Sequence, residues 1–117
     1  MRQFTQANYK DVLSSEQTSM VFFTSSGCHL CVKLKPILKK LEKQYAGSIN
    51  FYLCDIDKEK KLSNHILKDE GVPTGFVINA GKTFKMKDPK EPDVQSWYGQ
   101  EYLEEIYGDQ ITGESQD

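Results

Sequence analysis

The chain has 117 residues, 38% of them hydrophobic and 27% charged, with 15 basic and 17 acidic side chains and a formal net charge of −2. That length suits one domain around one core, and the composition is that of an ordinary globular protein. Nothing in the charge balance points to nucleic acid or to a membrane surface, and the longest apolar run, Met20 to Phe23, is too short to span a bilayer.

The start, MRQFTQANYKDVL, has no continuous apolar stretch and carries Asp11 early, so it does not read as a secretory signal, and a cytoplasmic location is expected. Thr5 to Leu13 is predicted to be a first helix: Thr5 is a candidate cap, and Tyr9, Val12 and Leu13 have helical spacing. The run at 20–23, MVFF, reads as a buried strand, broken by Ser25-Ser26-Gly27. From Cys28 to Tyr45 the pattern is strongly helical. Leu30, Leu34, Ile37, Leu38, Leu41 and Tyr45 share a face, the lysines lie largely off it, Pro36 predicts a kink, and Gly47 ends the helix.

Residues 49–57 form a second strand and its exit. Asp57 is a candidate cap for a third helix reaching Glu70, with Leu62, Ile66 and Leu67 as its apolar stripe. Gly71 to Thr74 is a turn, and 75–79 with 82–86 read as a hairpin closed at Ala80-Gly81. A polar, proline-bearing excursion at 87–93 precedes VQSWYG (94–99), which extends the hairpin or rejoins the sheet. A last helix covers Gln100 to Tyr107, and 110–117 reads as a frayed tail. Helices alternating with strands and ending in a hairpin predict an α/β domain spanning 1–117, a mixed sheet of about four strands flanked by about four helices.

Chemistry concentrates at TSSGCHLCVKLKP, 24–36, which holds two of the three cysteines. A structural zinc site needs four ligands; Cys28 and Cys31 have only His29, Cys54 and His65 to add, with no second pair at ligand spacing, so no metal is expected. Haem attachment wants histidine directly after the second cysteine, where Val32 stands. A purely structural disulfide closing so short a loop removes little chain entropy. The redox reading fits the position. Cys28 follows a strand and a glycine turn at the start of a helix, where unpaired N–H groups and the helix dipole favour a thiolate. Cys31, one turn on, is placed to resolve a mixed disulfide at Cys28.

VFFTSSGCHLCVKLKP, with Pro36 five residues after Cys31, and GVPTGFVINAGK together resemble the thioredoxin family over almost the whole chain. The resemblance implies a thioredoxin-like fold with Cys28 as nucleophile and Cys31 as resolving cysteine. Pro73 would be the cis-proline, with Val72 and Thr74 beside it and Gly99 on the rim of the substrate groove; Trp97, just before Gly99, reads either as buried against the sheet or as lining that groove. It implies no bound cofactor beyond the Cys28–Cys31 couple, protein disulfides as substrates, and electrons from a reductase or a small thiol; the chain is expected to act as a monomer.

Five departures stand out. Gly27 replaces the usual tryptophan, Phe22 replaces the buried acid six positions before the first cysteine, and Leu53 replaces its lysine partner. The chain also has an insertion centred on Asp88 to Asp93, and the family's first strand is short or missing before Thr5. These departures resemble divergent bacterial thioredoxin-like proteins, including bacteriocin transport accessory proteins.

His29 reads either as an imidazole that stabilises the Cys28 thiolate, making the pair more oxidising, or as an exposed polar rim residue. Cys54 is expected to be a buried small hydrophobe, and His65 a solvated or partly packed side chain. The sequence thus points to a thiol–disulfide oxidoreductase. The alternatives are an accessory or binding module of a bacteriocin secretion system, or an oxidant or isomerase in an exported setting.

Overall fold

The computed structural model describes residues 1–86. The expectations for 87–117, including Trp97, Gly99, the last helix and the tail, lie outside the described residues. In chain order the elements are β1 (Arg2–Gln3), α1 (Tyr9–Ser14), β2 (Thr18–Thr24), α2 (His29–Gln44), β3 (Ile49–Asp55), α3 (Lys60–Leu67), β4 (Thr74–Asn79) and β5 (Lys82–Lys85). The strands form one sheet in the order β1-β3-β2-β4-β5. β1 and β2 run parallel to β3, while β4 is antiparallel to both β2 and β5.

The sheet is mixed, as expected, but among the described residues it has five strands, because a short N-terminal strand is present. Arg2 and Gln3 pair with Tyr52 and Leu53, and the Phe4 N–H donates to the Leu53 carbonyl at 2.7 Å. So short a strand carries no alternation of its own; Phe4, buried between β1 and α1, holds it in place.

Side chains of the central strand alternate between two cores, as the period of two requires. Met20 and Phe22 face α2 with Leu34, Leu38, Leu41 and Phe51. Val21 and Phe23 face the opposite side with Val12, Leu62, Ile66 and Phe76. Both faces of β2 are covered, which is why its sequence is apolar without alternation.

Two helix starts differ from expectation. α1 begins at Tyr9, not at Thr5. Thr5 instead closes a turn: its N–H donates to Asn8 Oδ1 at 2.9 Å, and its Oγ1 accepts from the Asn8 N–H at 3.3 Å. Likewise Asp57 does not cap α3, which starts at Lys60. The carboxylate of Asp55 accepts from the Asp57 N–H, and its carbonyl accepts from Lys58 and Glu59, so a turn intervenes before the helix.

α2 ends as the sequence implies. Gly47 takes a φ of +86°, a conformation open to glycine at little cost, and the Tyr45 carbonyl accepts from Ser48 and Ile49. The β4–β5 hairpin closes through Ala80 and Gly81, both at positive φ, with Asn79 paired to Lys82. This is the twist-matched two-residue turn that hairpins favour.

Candidate functional site

β2 ends at Thr24, and Ser25 to Gly27 carry the chain from the end of that central strand into α2. The Cys28 N–H donates to the Ser25 carbonyl at 3.3 Å, which tightens that turn. Cys28 is the N-cap residue of α2, in extended conformation, and its Sγ accepts the Cys31 N–H at 3.1 Å. A sulfur therefore occupies the place where serine or aspartate usually satisfies the free N–H groups of a helix start.

Cys28 and Cys31 are joined as a disulfide, with Cα atoms 5.2 Å apart. The two sulfurs are not equivalent. Cys28 is half-buried, whereas Cys31 is 1% exposed and points inward with Leu34 and Leu38. Cys28 thus keeps part of its surface open to solvent, and Cys31 almost none. Pro36 lies inside the helix and is exposed.

The Gly71–Thr74 loop meets this site through strand register. Phe23 on β2 pairs with Thr74 on β4, so the loop before β4 emerges at the same sheet end as the loop after β2. The Val72–Pro73 bond is cis, Pro73 and Thr74 are buried, and Thr74 Oγ1 donates to the Gly71 carbonyl. The fold thus brings Cys28, Cys31, Val72, Pro73 and Thr74 to one end of the two central strands.

The departures from the usual family pattern have clear structural settings. Gly27 is exposed, its φ is unexceptional, and a Cβ there would meet nothing within 4 Å. Glycine is therefore not demanded by the backbone; it leaves the approach to Cys28 bare. His29 is exposed in the first turn of α2. Phe22 is fully buried and stacks on Phe51, with centroids 6.5 Å apart and planes 9° from parallel. Leu53, its partner in the β2–β3 register, packs against the same cluster. An aromatic core thus fills the position where the family places a buried acid.

Cys54 lies on the other face of the sheet, fully buried, with its Sγ 3.6 Å from Ser63 Oγ. Burial pushes its thiol up from 9.0 to about 11; Ser63 opposes the shift, while Glu59 and Asp55 add to it. It is the buried, packed cysteine expected. His65 is exposed and meets Tyr9 edge-on at 6.1 Å. Among the described residues no three His, Cys, Asp or Glu side chains converge as a metal site, and no helix is long and apolar enough to cross a membrane. Sequence reasoning missed Gly75, whose place beneath Phe22 depends on strand register rather than on any local signal.

A helix-capping cysteine pair at one end of a five-strand mixed sheet, beside a cis-proline loop, is the arrangement of a thiol–disulfide oxidoreductase. Residues 1–97 match the thioredoxin family model. A thioredoxin of Borreliella burgdorferi is 39% identical over 90 residues, covering 72% of this chain and 76% of that protein. The chloroplastic thioredoxin-like 3-1 protein of Arabidopsis thaliana is 29% identical over 92 residues, covering 79% of this chain and 35% of that protein. Oxidised mitochondrial thioredoxin 3 of Saccharomyces cerevisiae superposes with a TM-score of 0.67 at 19% identity, covering 74% of this chain and 82% of that one, a likeness of fold. The chain belongs to the thioredoxin family.

Proposed function

We propose that the chain reduces protein disulfides through Cys28 and Cys31. The observation that carries this reading is the inequality of the two sulfurs: Cys28 is reachable at the helix N-cap, and Cys31 is buried one turn behind it. In the reduced protein the α2 N-terminus, with the Cys31 N–H aimed at Cys28 Sγ, favours negative charge on that sulfur. The Cys28 thiolate attacks one sulfur of a substrate disulfide. The S–S bond breaks, one substrate thiolate leaves, and Cys28 is joined to the other sulfur. Cys31 attacks Cys28 Sγ, its proton passing to the departing substrate sulfur, which leaves as the second thiol while Cys28–Cys31 is left oxidised. The substrate gains two electrons and the protein loses two. A reductase or a small thiol returns them, and no bound cofactor takes part.

Val72, Pro73 and Thr74 serve in this reading as the wall against which an extended substrate segment lies, with the Val72 backbone as its partner. Gly27 leaves room above Cys28, and His29 sets the stability of its thiolate. The protein works as a monomer in the cytoplasm.

The test is insulin-disulfide reduction with a dithiol donor. Wild type should turn over, Cys28→Ser should not, and Cys31→Ser should accumulate a mixed disulfide visible by mass spectrometry. A Cys28→Ser variant as active as wild type would refute the assignment.

A further inference from the structure

α2 carries five lysines (Lys33, Lys35, Lys39, Lys40 and Lys43) and a single acid, Glu42. All five lysines are exposed. Lys35 borders a cleft that also holds Asp55, Lys58 and Glu59, apart from the other four lysines. Glu42 is engaged by the Met1 ammonium at 3.5 Å. Among the described residues Lys33, Lys39, Lys40 and Lys43 have no ion-pair partner, in a chain whose net charge is −2. Outside α2 the charges of residues 1–86 nearly balance, eight basic against seven acidic, so the positive excess of the described residues is concentrated on α2.

Helical spacing gives the surface a shape. Val32 and Pro36, one turn apart, form an exposed apolar ridge, and Val32 is 64% exposed. Lys33 and Lys40 lie on one flank of it, and Lys39 and Lys43, also one turn apart, continue it and line the other. The ridge starts at the turn that holds the cysteines. At a rise of 1.5 Å per residue the lysines extend to on the order of 20 Å from Cys28.

We propose that the outer face of α2 is a docking surface for an acidic protein partner, whose carboxylates lie beside the disulfide it presents to Cys28. The proposal rests on the oxidoreductase reading above and adds which substrates it favours. Charge complementarity at this distance steers encounter and fixes orientation rather than taking part in the chemistry. It is strong at low salt and fades once the screening length falls well below the width of the patch.

The experiment uses the full chain, a dithiol donor, two synthetic disulfide-bridged peptides with a common core and either a tetraglutamate or a tetralysine arm, and neutral hydroxyethyl disulfide. At about 20 mM salt the acidic peptide should exceed the basic one in kcat/KM by about tenfold, and at about 0.5 M the two should converge. Lys39→Glu/Lys40→Glu/Lys43→Glu should reverse the preference, and the Gln triple variant should abolish it, with turnover of hydroxyethyl disulfide unchanged in both. Equal use of the two peptides by wild type, or a preference that survives both variants, would overturn the proposal. A preference that appears only after Glu101, Glu104 and Glu105 are replaced by Gln would overturn it too, by assigning the lysines to the chain's own C-terminal residues. If wild type fails to turn over hydroxyethyl disulfide itself, the oxidoreductase reading falls, and the docking proposal with it.

Discussion

Phe22 and Gly75 face each other across the β2–β4 ladder, and the ring of one occupies the space the other leaves empty. A Cβ on Gly75 would lie 2.9 Å from Phe22 Cε1 and 2.7 Å from Met86 Sδ, closer than such atoms pack. Both neighbours are fully buried, so neither ring nor thioether has free space to withdraw into. The phenylalanine that stands for the family's acid is thus matched by a glycine on the next strand.

Gly75→Ala should therefore destabilise the protein by about 1–3 kcal/mol, the usual cost of overpacking a well-filled core. Phe22→Leu costs stability by itself, through lost burial and lost stacking on Phe51. In the double variant the two losses should fall short of their sum by at least about 0.5 kcal/mol in urea unfolding, because the smaller side chain makes room for the new methyl. Strict additivity would mean that the two residues do not compete for that space.

Phe4 makes the N-terminus part of the core. It is 1% exposed and meets Tyr9, Phe23 and Tyr52 edge-on at 5.9, 6.4 and 6.1 Å. Phe4→Ala should cost about 3–5 kcal/mol, measured as a lower urea midpoint with an unchanged slope. A loss below about 1 kcal/mol would show that β1 is dispensable.

Cys54 makes stability depend on alkaline pH. Its folded thiol sits at about 11 against 9.0 unperturbed, so between those values the unfolded chain has released the proton and the folded one has not. Folding then binds more protons than unfolding, and stability falls as pH rises from 9 toward 11, by roughly 2–3 kcal/mol at the upper end. Below pH 9 this thiol contributes no slope. The check is the difference in unfolding free energy between wild type and Cys54→Ala across that window, which isolates this group from the lysines and tyrosines. In the same protein, reduced and native, iodoacetamide should alkylate Cys28 and leave Cys54 untouched until the chain unfolds.

Gly27 and His29 flank the reachable sulfur on open ground. A Cβ at the exposed Gly27 meets nothing within 4 Å, so Gly27→Trp should leave thermal stability within about 0.5 kcal/mol while changing the rate with bulky protein disulfides. His29→Ala should make the Cys28–Cys31 couple more reducing by about 10–30 mV, since it removes a group that favours the thiolate. An unchanged potential would leave His29 as a rim residue with no electrostatic role.

The candidate site is legible in the sequence because its signals are local. A strand, a glycine turn and the helical spacing that starts at Cys28 suffice to put the sulfur at an N-cap, and that is where it lies. The order of the described elements is legible too, since β2 is apolar on both faces and α2 repeats with helical period. What escapes a reading of the sequence depends on partners distant along the chain. β1 is defined by pairing with Tyr52 and Leu53, and Gly75 by the ring of Phe22. Thr5 and Asp57 mislead for a subtler reason. Both are good capping residues, but each sits in a turn that completes before its helix begins, at Asn8 and at Glu59.

The reduction potential of the Cys28–Cys31 couple, measured by equilibration with defined thiol–disulfide buffers, tests the central claim most directly. A protein-disulfide reductase requires a value in the thioredoxin range, about −270 mV, so that electrons run from the dithiol to its substrates. A value near −120 mV would contradict the account, because the pair would then draw electrons from its partners and act as an oxidant.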